Sequence, residues 1–140
     1  AGRTHSCGVT TSGAAFCWGD NFAGAFGNGT FDADPRPIPV NGGLYAAIGV
    51  GHGYTCAIRT DATLACFGDN GGFQLGIEGP VQSEVPVSPA PGLSFATIRT
   101  GSAHACALTF EGIVYCWGGM GNGADTDFSV STPTKVVGQR

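Results

Sequence analysis

The chain has 140 residues, a formal net charge of −4 and only 11% charged residues. Six Lys+Arg offer no electrostatic footprint for nucleic acid or an anionic membrane surface, and no apolar run is long enough to span a bilayer. With 25 glycines and 8 prolines, long helices are disfavoured, while 42% hydrophobic residues are enough for a packed core and argue against disorder.

In chain order, the first element is the cysteine block Gly2-Arg3-Thr4-His5-Ser6-Cys7-Gly8-Val9, which returns through Cys17-Trp18-Gly19-Asp20-Asn21. A turn-rich block, residues 19–27, and a proline-containing stretch, residues 35–40, follow. The apolar run Tyr45-Ala46-Ala47-Ile48 then leads into a second cysteine block with Tyr54 and Cys56, which returns through Cys66-Phe67-Gly68-Asp69-Asn70. Residues 68–76 repeat the turn-rich block, placing Leu75 where the first copy has Phe26, and residues 85–89 repeat the proline stretch. A third copy opens with Phe95-Ala96-Thr97-Ile98 and carries His104 and Cys106, then Cys116-Trp117-Gly118-Gly119. Its turn block is rebuilt around Met120, Gly121 and Asn122, with Asp125 and Asp127 beyond, before Pro133-Thr134-Lys135-Val136-Val137. A spacing of about fifty residues marks a repeat architecture. One repeat domain over residues 1–140 is expected, with repeats at about 1–43, 44–92 and 93–140.

Each copy holds two cysteines ten positions apart: Cys7/Cys17, Cys56/Cys66 and Cys106/Cys116. Two strands joined by a three-residue loop would set each pair directly opposite one another. The third loop residue then takes the left-handed conformation. That residue is Gly13, Ala62 or Gly112, and alanine is the poor choice of the three. If the closing pair of the hairpin is hydrogen-bonded, the cysteines fall on a non-hydrogen-bonded pair, close enough for a disulfide. Spacing and even count favour three disulfides over free buried thiols, and over zinc, whose ligands usually come as closely spaced pairs. Disulfides persist outside the reducing cytosol, which argues for an extracellular or cell-surface protein, with the periplasm a further setting.

The pattern G-x-x-H-x-C-A-L, then C-W-G-x-N, then G-Q-L-G, resembles the regulator of chromosome condensation repeat family. The resemblance runs over almost the whole chain. It implies an all-β fold of β-propeller blades, each of four antiparallel strands, and the cysteine-paired form is similar to that of exported bacterial proteins. The founding member is a chromatin-bound nucleotide-exchange factor for a small GTPase, a role that does not carry over to an acidic, cysteine-paired chain. A secreted propeller that inhibits a β-lactamase is similar in architecture. About three repeats cannot close a ring of four to eight blades, so the chain is expected to be part of a larger propeller or of an oligomeric one.

Other residues invite a functional reading. His5 and His104 share one repeat position with Tyr54, and a structural hydrogen-bonding role outweighs a catalytic or metal one. Asp32/Asp34 and Asp125/Asp127 read as solvated loop carboxylates rather than a calcium site. Asn28-Gly29-Thr30 is a glycosylation sequon that also reads as a turn. No nucleophile motif, metal site or cofactor is expected, and no enzyme activity. Trp18, Phe67 and Trp117, one after each second cysteine, are expected to pack between blades. The expected function is an extracellular binding module for a protein partner, with Phe22, Phe31, Phe73 and Phe128 as loop contacts and no nucleic acid or membrane insertion. Self-assembly into a homo-oligomer and a carbohydrate-binding or hydrolytic module are the alternatives.

Overall fold

The computed structural model describes residues 2–119 and 129–136, and every regular element among them is a β-strand. The cysteine blocks form three hairpins. These are β1 (His5–Val9) with β2 (Ala15–Gly19), β5 (Tyr54–Arg59) with β6 (Leu64–Asp69), and β9 (His104–Thr109) with β10 (Val114–Gly119). Cys7 faces Cys17, Cys56 faces Cys66 and Cys106 faces Cys116. All three disulfides are formed, each with a Cα–Cα distance of 4.1 Å.

The loops explain this register. Each hairpin closes on a hydrogen-bonded pair: Thr10 N–H to Ala14 O at 2.8 Å, Arg59 N–H to Thr63 O at 2.8 Å and Thr109 N–H to Ile113 O at 2.9 Å. Alternation outward from that pair sets the cysteines at a non-hydrogen-bonded position, where antiparallel strands approach most closely. The third loop residue has φ of +95° at Gly13, +74° at Ala62 and +92° at Gly112.

The apolar runs become β4 (Tyr45–Val50) and β8 (Phe95–Thr100), which pair with β5 and β9. The proline stretches become β3 (Asp34–Pro39), β7 (Gln82–Val87) and β11 (Ser129–Lys135). These lie outermost, in the orders β1-β2-β3, β4-β5-β6-β7 and β11-β10-β9-β8. An outermost strand has one neighbour, so a missing proline N–H can face away from the ladder.

The sheets stack face to face. Strand alternation puts Tyr54, Cys56, Ile58, Leu64 and Cys66 on one face of the second sheet, where they pack with Ala105, Ala107 and Trp117 of the third. The opposite face presents Ala57, Ala65 and Phe67 to Ala15, Cys17 and Phe26 of the first. The Cys7–Cys17 and Cys56–Cys66 disulfides therefore lie inside the packing between sheets, and Cys17, Cys56 and Cys66 are wholly buried. Phe26 and Leu75, at equivalent places in the two turn blocks, are also fully buried and join these two cores.

Candidate interaction face

One end of the stacked sheets is built from the β2–β3 and β6–β7 loops and the short β4–β5 turn. A buried asparagine organises each long loop. Asn21 donates through Nδ2 to the carbonyls of Thr30 (3.0 Å) and Asp32 (3.1 Å), and its Oδ1 accepts Phe26 N–H at 2.9 Å. Asn70 repeats this with the carbonyls of Ile77 (3.0 Å) and Pro80 (2.8 Å), and with Leu75 N–H at 3.0 Å. A side-chain amide has two donors and an acceptor, so one buried residue can satisfy three backbone groups of a loop that has no ladder of its own.

Each loop then turns through a glycine lying against the next sheet. A Cβ on Gly27, at φ +64°, would stand 2.7 Å from Cδ2 of Phe67; one on Gly76, at φ +74°, would stand 3.2 Å from Cδ1 of Trp117. Only a residue without a side chain lets the loop approach the ring so closely.

Polar groups cross both boundaries between sheets. The Thr55 hydroxyl donates to Ala25 O at 2.8 Å, and His5 Nε2 lies 2.8 Å from the same hydroxyl oxygen. Because that hydroxyl proton is committed to Ala25, His5 is the donor and its neutral ring carries the proton on Nε2. Burial lowers the His5 pKa to about 4. Tyr54, at the position equivalent to His5, donates to the carbonyl of Gly101 at 2.8 Å and also meets that of His104. Burial raises its phenol pKa well above the ordinary range. Trp117 Nε1 donates to Gln74 O at 2.8 Å. His5 and Tyr54 thus hold sheet to sheet, the structural role expected of His5, whereas His104, of which the same was expected, is exposed.

The loop aromatics lie at this end of the molecule. Phe22 is 57% exposed and Phe31 43% exposed. Phe22 reaches from the first sheet's loop to His52 on the second, with ring centroids 6.4 Å apart. Phe73 is half-buried and holds a left-handed backbone at φ +63°, a conformation that few side chains tolerate. Phe128 lies outside the described residues, as do Asp125 and Asp127. A shallow cleft of about 370 Å³ opens at the same end, lined by Arg3, Val50, His52, Thr100 and Ser102 among others.

The other candidates have local partners. Asp34 binds Arg36 at 2.9 Å, and hydrogen bonds from that guanidinium and from Arg36 N–H lower its pKa to about 2. Asn28 Oδ1 accepts the N–H (3.1 Å) and hydroxyl (3.0 Å) of Thr30, the geometry of the expected turn. Among the described residues, no group of three His, Cys, Asp or Glu could hold a metal ion.

Antiparallel sheets of this order, stacked face to face and joined through outer strands, are the blades of a β-propeller. Residues 1–25 and 95–124, in the first and third blades, match the regulator of chromosome condensation (RCC1) repeat. The chain is similar to human WBSCR16, with a TM-score of 0.87 and 21% identity over 96% of this chain. It is similar to Prp20p from Saccharomyces cerevisiae, with a TM-score of 0.81 and 21% identity over 97% of this chain. A third similar structure is yeast RCC1 (Prp20) with Kap60 bound, at a TM-score of 0.78 and 20% identity over 97% of this chain. This chain spans 36% of the human protein's chain, 37% of Prp20p's and 36% of that in the Kap60 complex. At such identities the likeness is one of fold.

Asn21, Asn70 and Thr55 had no role assigned to them from sequence. The two asparagines were marked by one signal, their recurrence after Gly-Asp in two turn blocks. Thr55 had none, because its counterparts are Ser6 and Ala105.

Proposed function

We propose that this chain is an extracellular protein-binding module, one repeat domain over residues 1–140, whose loop-built end carries the contacts. The observation that carries this reading is the exposure of Phe22 and Phe31 on a loop held rigid by buried Asn21. Large aromatic side chains with few rotamers, displayed on a fixed loop, give contact area at low entropic cost. Phe73 and Phe128 are further contact candidates. Proteins of similar fold support a protein partner: Prp20p binds Gsp1p and histones, and yeast RCC1 (Prp20) has been solved with Kap60. Three disulfides support an oxidising compartment.

The test is affinity capture from culture-medium, cell-surface and periplasmic fractions. The baits are wild type and a Phe22→Ser/Phe31→Ser variant whose denaturant midpoint matches wild type. A protein retained by wild type and lost by the variant supports the reading. Equal retention by both baits overturns the assignment of the face, and capture of a glycan in a parallel array favours the carbohydrate alternative.

A further inference from the structure

Asn-Gly occurs four times in the chain, at residues 28–29, 41–42, 70–71 and 122–123, the last outside the described residues. The dipeptide carries a reaction of its own. Glycine has no side chain to shield its backbone nitrogen, which can attack Cγ of the asparagine before it. The three described copies stand in different settings, and hydrogen bonds decide which of them is open to this attack.

Asn70 is buried, with Nδ2 donating to the carbonyls of Ile77 and Pro80 and Oδ1 accepting Leu75 N–H. The N–H of Gly71 donates to Asp69 Oδ1 at 3.0 Å. Asn28 is half-buried and its Oδ1 accepts twice from Thr30, while Gly29 N–H donates to the carbonyl of Glu84 at 2.8 Å. In both copies the attacking nitrogen and the attacked amide are tied.

Asn41 differs. It lies with Gly42 in the exposed link between β3 and β4. Neither the Asn41 side chain nor Gly42 N–H has a hydrogen-bond partner among the described residues. The glycine is also required by the fold. Its φ is +99°, and a Cβ there would stand 2.6 Å from Tyr45 Oη and 3.0 Å from Cγ of Pro86.

We infer that Asn41 is a self-modification site, where Gly42 converts the side-chain amide to aspartate and isoaspartate. The Gly42 nitrogen gives its proton to solvent and bonds to Asn41 Cγ; the Cγ–Nδ2 bond breaks and ammonia leaves. One water then opens the cyclic imide. Opening at Cγ gives aspartate, and opening at the Asn41 backbone carbonyl gives isoaspartate, whose main chain runs through Cβ and Cγ. Nothing is oxidised or reduced. The longer main chain falls on a seam between blades. There Asn41 N–H donates to Gly27 O at 3.0 Å, the Tyr45 hydroxyl to Asn41 O at 2.6 Å and Arg59 Nε to Gly42 O at 2.9 Å. Isoaspartate displaces these groups and loosens the junction of the first and second blades.

The test ages the full chain at mildly alkaline pH, folded and in guanidinium chloride. Peptide mapping reads the amide-to-acid conversion at each dipeptide and separates isoaspartyl from aspartyl products. In the folded chain Asn41 should convert about tenfold faster than Asn28, where a backbone hydrogen bond must first break, and Asn70 should be slowest. In denaturant Asn41 and Asn70, both followed by Gly-Gly, should convert at similar rates. The isolated isoaspartyl form should have a lower denaturant midpoint than Asn41→Asp, which adds the same charge without the longer main chain. Asn28 or Asn70 converting as fast as Asn41 in the folded chain, or Asn41 leading Asn70 equally in denaturant, would overturn the assignment. Equal midpoints for the isoaspartyl form and Asn41→Asp would overturn the loosening.

Discussion

His5 donates its Nε2 proton across the first blade boundary to the hydroxyl of Thr55, which passes its own proton to the carbonyl of Ala25, with both links at 2.8 Å. The hydroxyl is therefore the centre of a buried relay, with Thr55 wholly buried and His5 almost so. Thr55→Val keeps the shape but strands a donor and an acceptor together. The expected loss is about 2–4 kcal/mol by urea midpoint, while Thr55→Ser should retain most of the stability. A loss under about half a kcal/mol in the valine variant would show that the relay contributes little.

The same histidine sets a pH dependence. Its pKa is lowered by burial from 6.5 to about 4, so the folded state holds fewer protons than the unfolded one between those values. Above the upper limit His5 is neutral in both states and contributes no slope. As pH falls through the window, the unfolded chain gains a proton that the folded chain does not, and stability declines. The full effect is about 3 kcal/mol, and no further loss from this group follows below the lower limit. His5→Gln should flatten the curve of denaturant midpoint against pH over this interval; equal slopes in wild type and variant would contradict the assignment.

The second boundary meets the same need with a different donor. Gln74 occupies the place of Ala25, and its carbonyl is satisfied by Trp117 Nε1, because Ala105 stands where Thr55 does and carries no hydroxyl. Phe67, the counterpart of Trp117, has no N–H to give. Trp117→Phe should therefore cost about 1–3 kcal/mol by leaving the Gln74 carbonyl unpaired, and Ala105→Thr should recover part of that loss only in the phenylalanine background. Strict additivity of the two changes would refute the exchange of donors. Trp117→Ala should cost more, about 3–5 kcal/mol, since it also opens a cavity.

Hairpin loops give a third measurement. Ala62 bears a left-handed backbone at φ +74°, so Ala62→Gly should leave stability unchanged or raise it by up to about 1 kcal/mol. Gly13→Ala and Gly112→Ala should both destabilise. The first should cost more: its Cβ would stand 3.2 Å from Cβ of Leu44, while that of Gly112 would meet open space. Equal losses at the two glycines would mean that backbone conformation alone sets the cost.

Non-reducing peptide mapping should recover only Cys7–Cys17, Cys56–Cys66 and Cys106–Cys116. Replacing one pair by alanine should lower stability by roughly 2.5–3 kcal/mol through the closure entropy of a short loop. A bond recovered between repeats would contradict the hairpin register.

Strand register, the disulfide pairs, the left-handed loop residues and the outer position of the proline strands were legible in the sequence. Each depends on backbone geometry within a few residues: a period of two, a three-residue loop, a missing N–H. The candidate contacts Phe22 and Phe31 were legible as loop aromatics, but their exposure beside half-buried Phe73 was not. Nor was the difference between buried Trp117 and half-buried Trp18, which share one motif position. Trp117 is covered by the second blade, with which it shares a core. Whether a ring is covered, and whether a carbonyl is met by a hydroxyl or an indole, depends on a surface about fifty residues away in sequence. Local patterning shaped each blade, and the packing of blade on blade decided which of its groups are buried, paired or open to a partner.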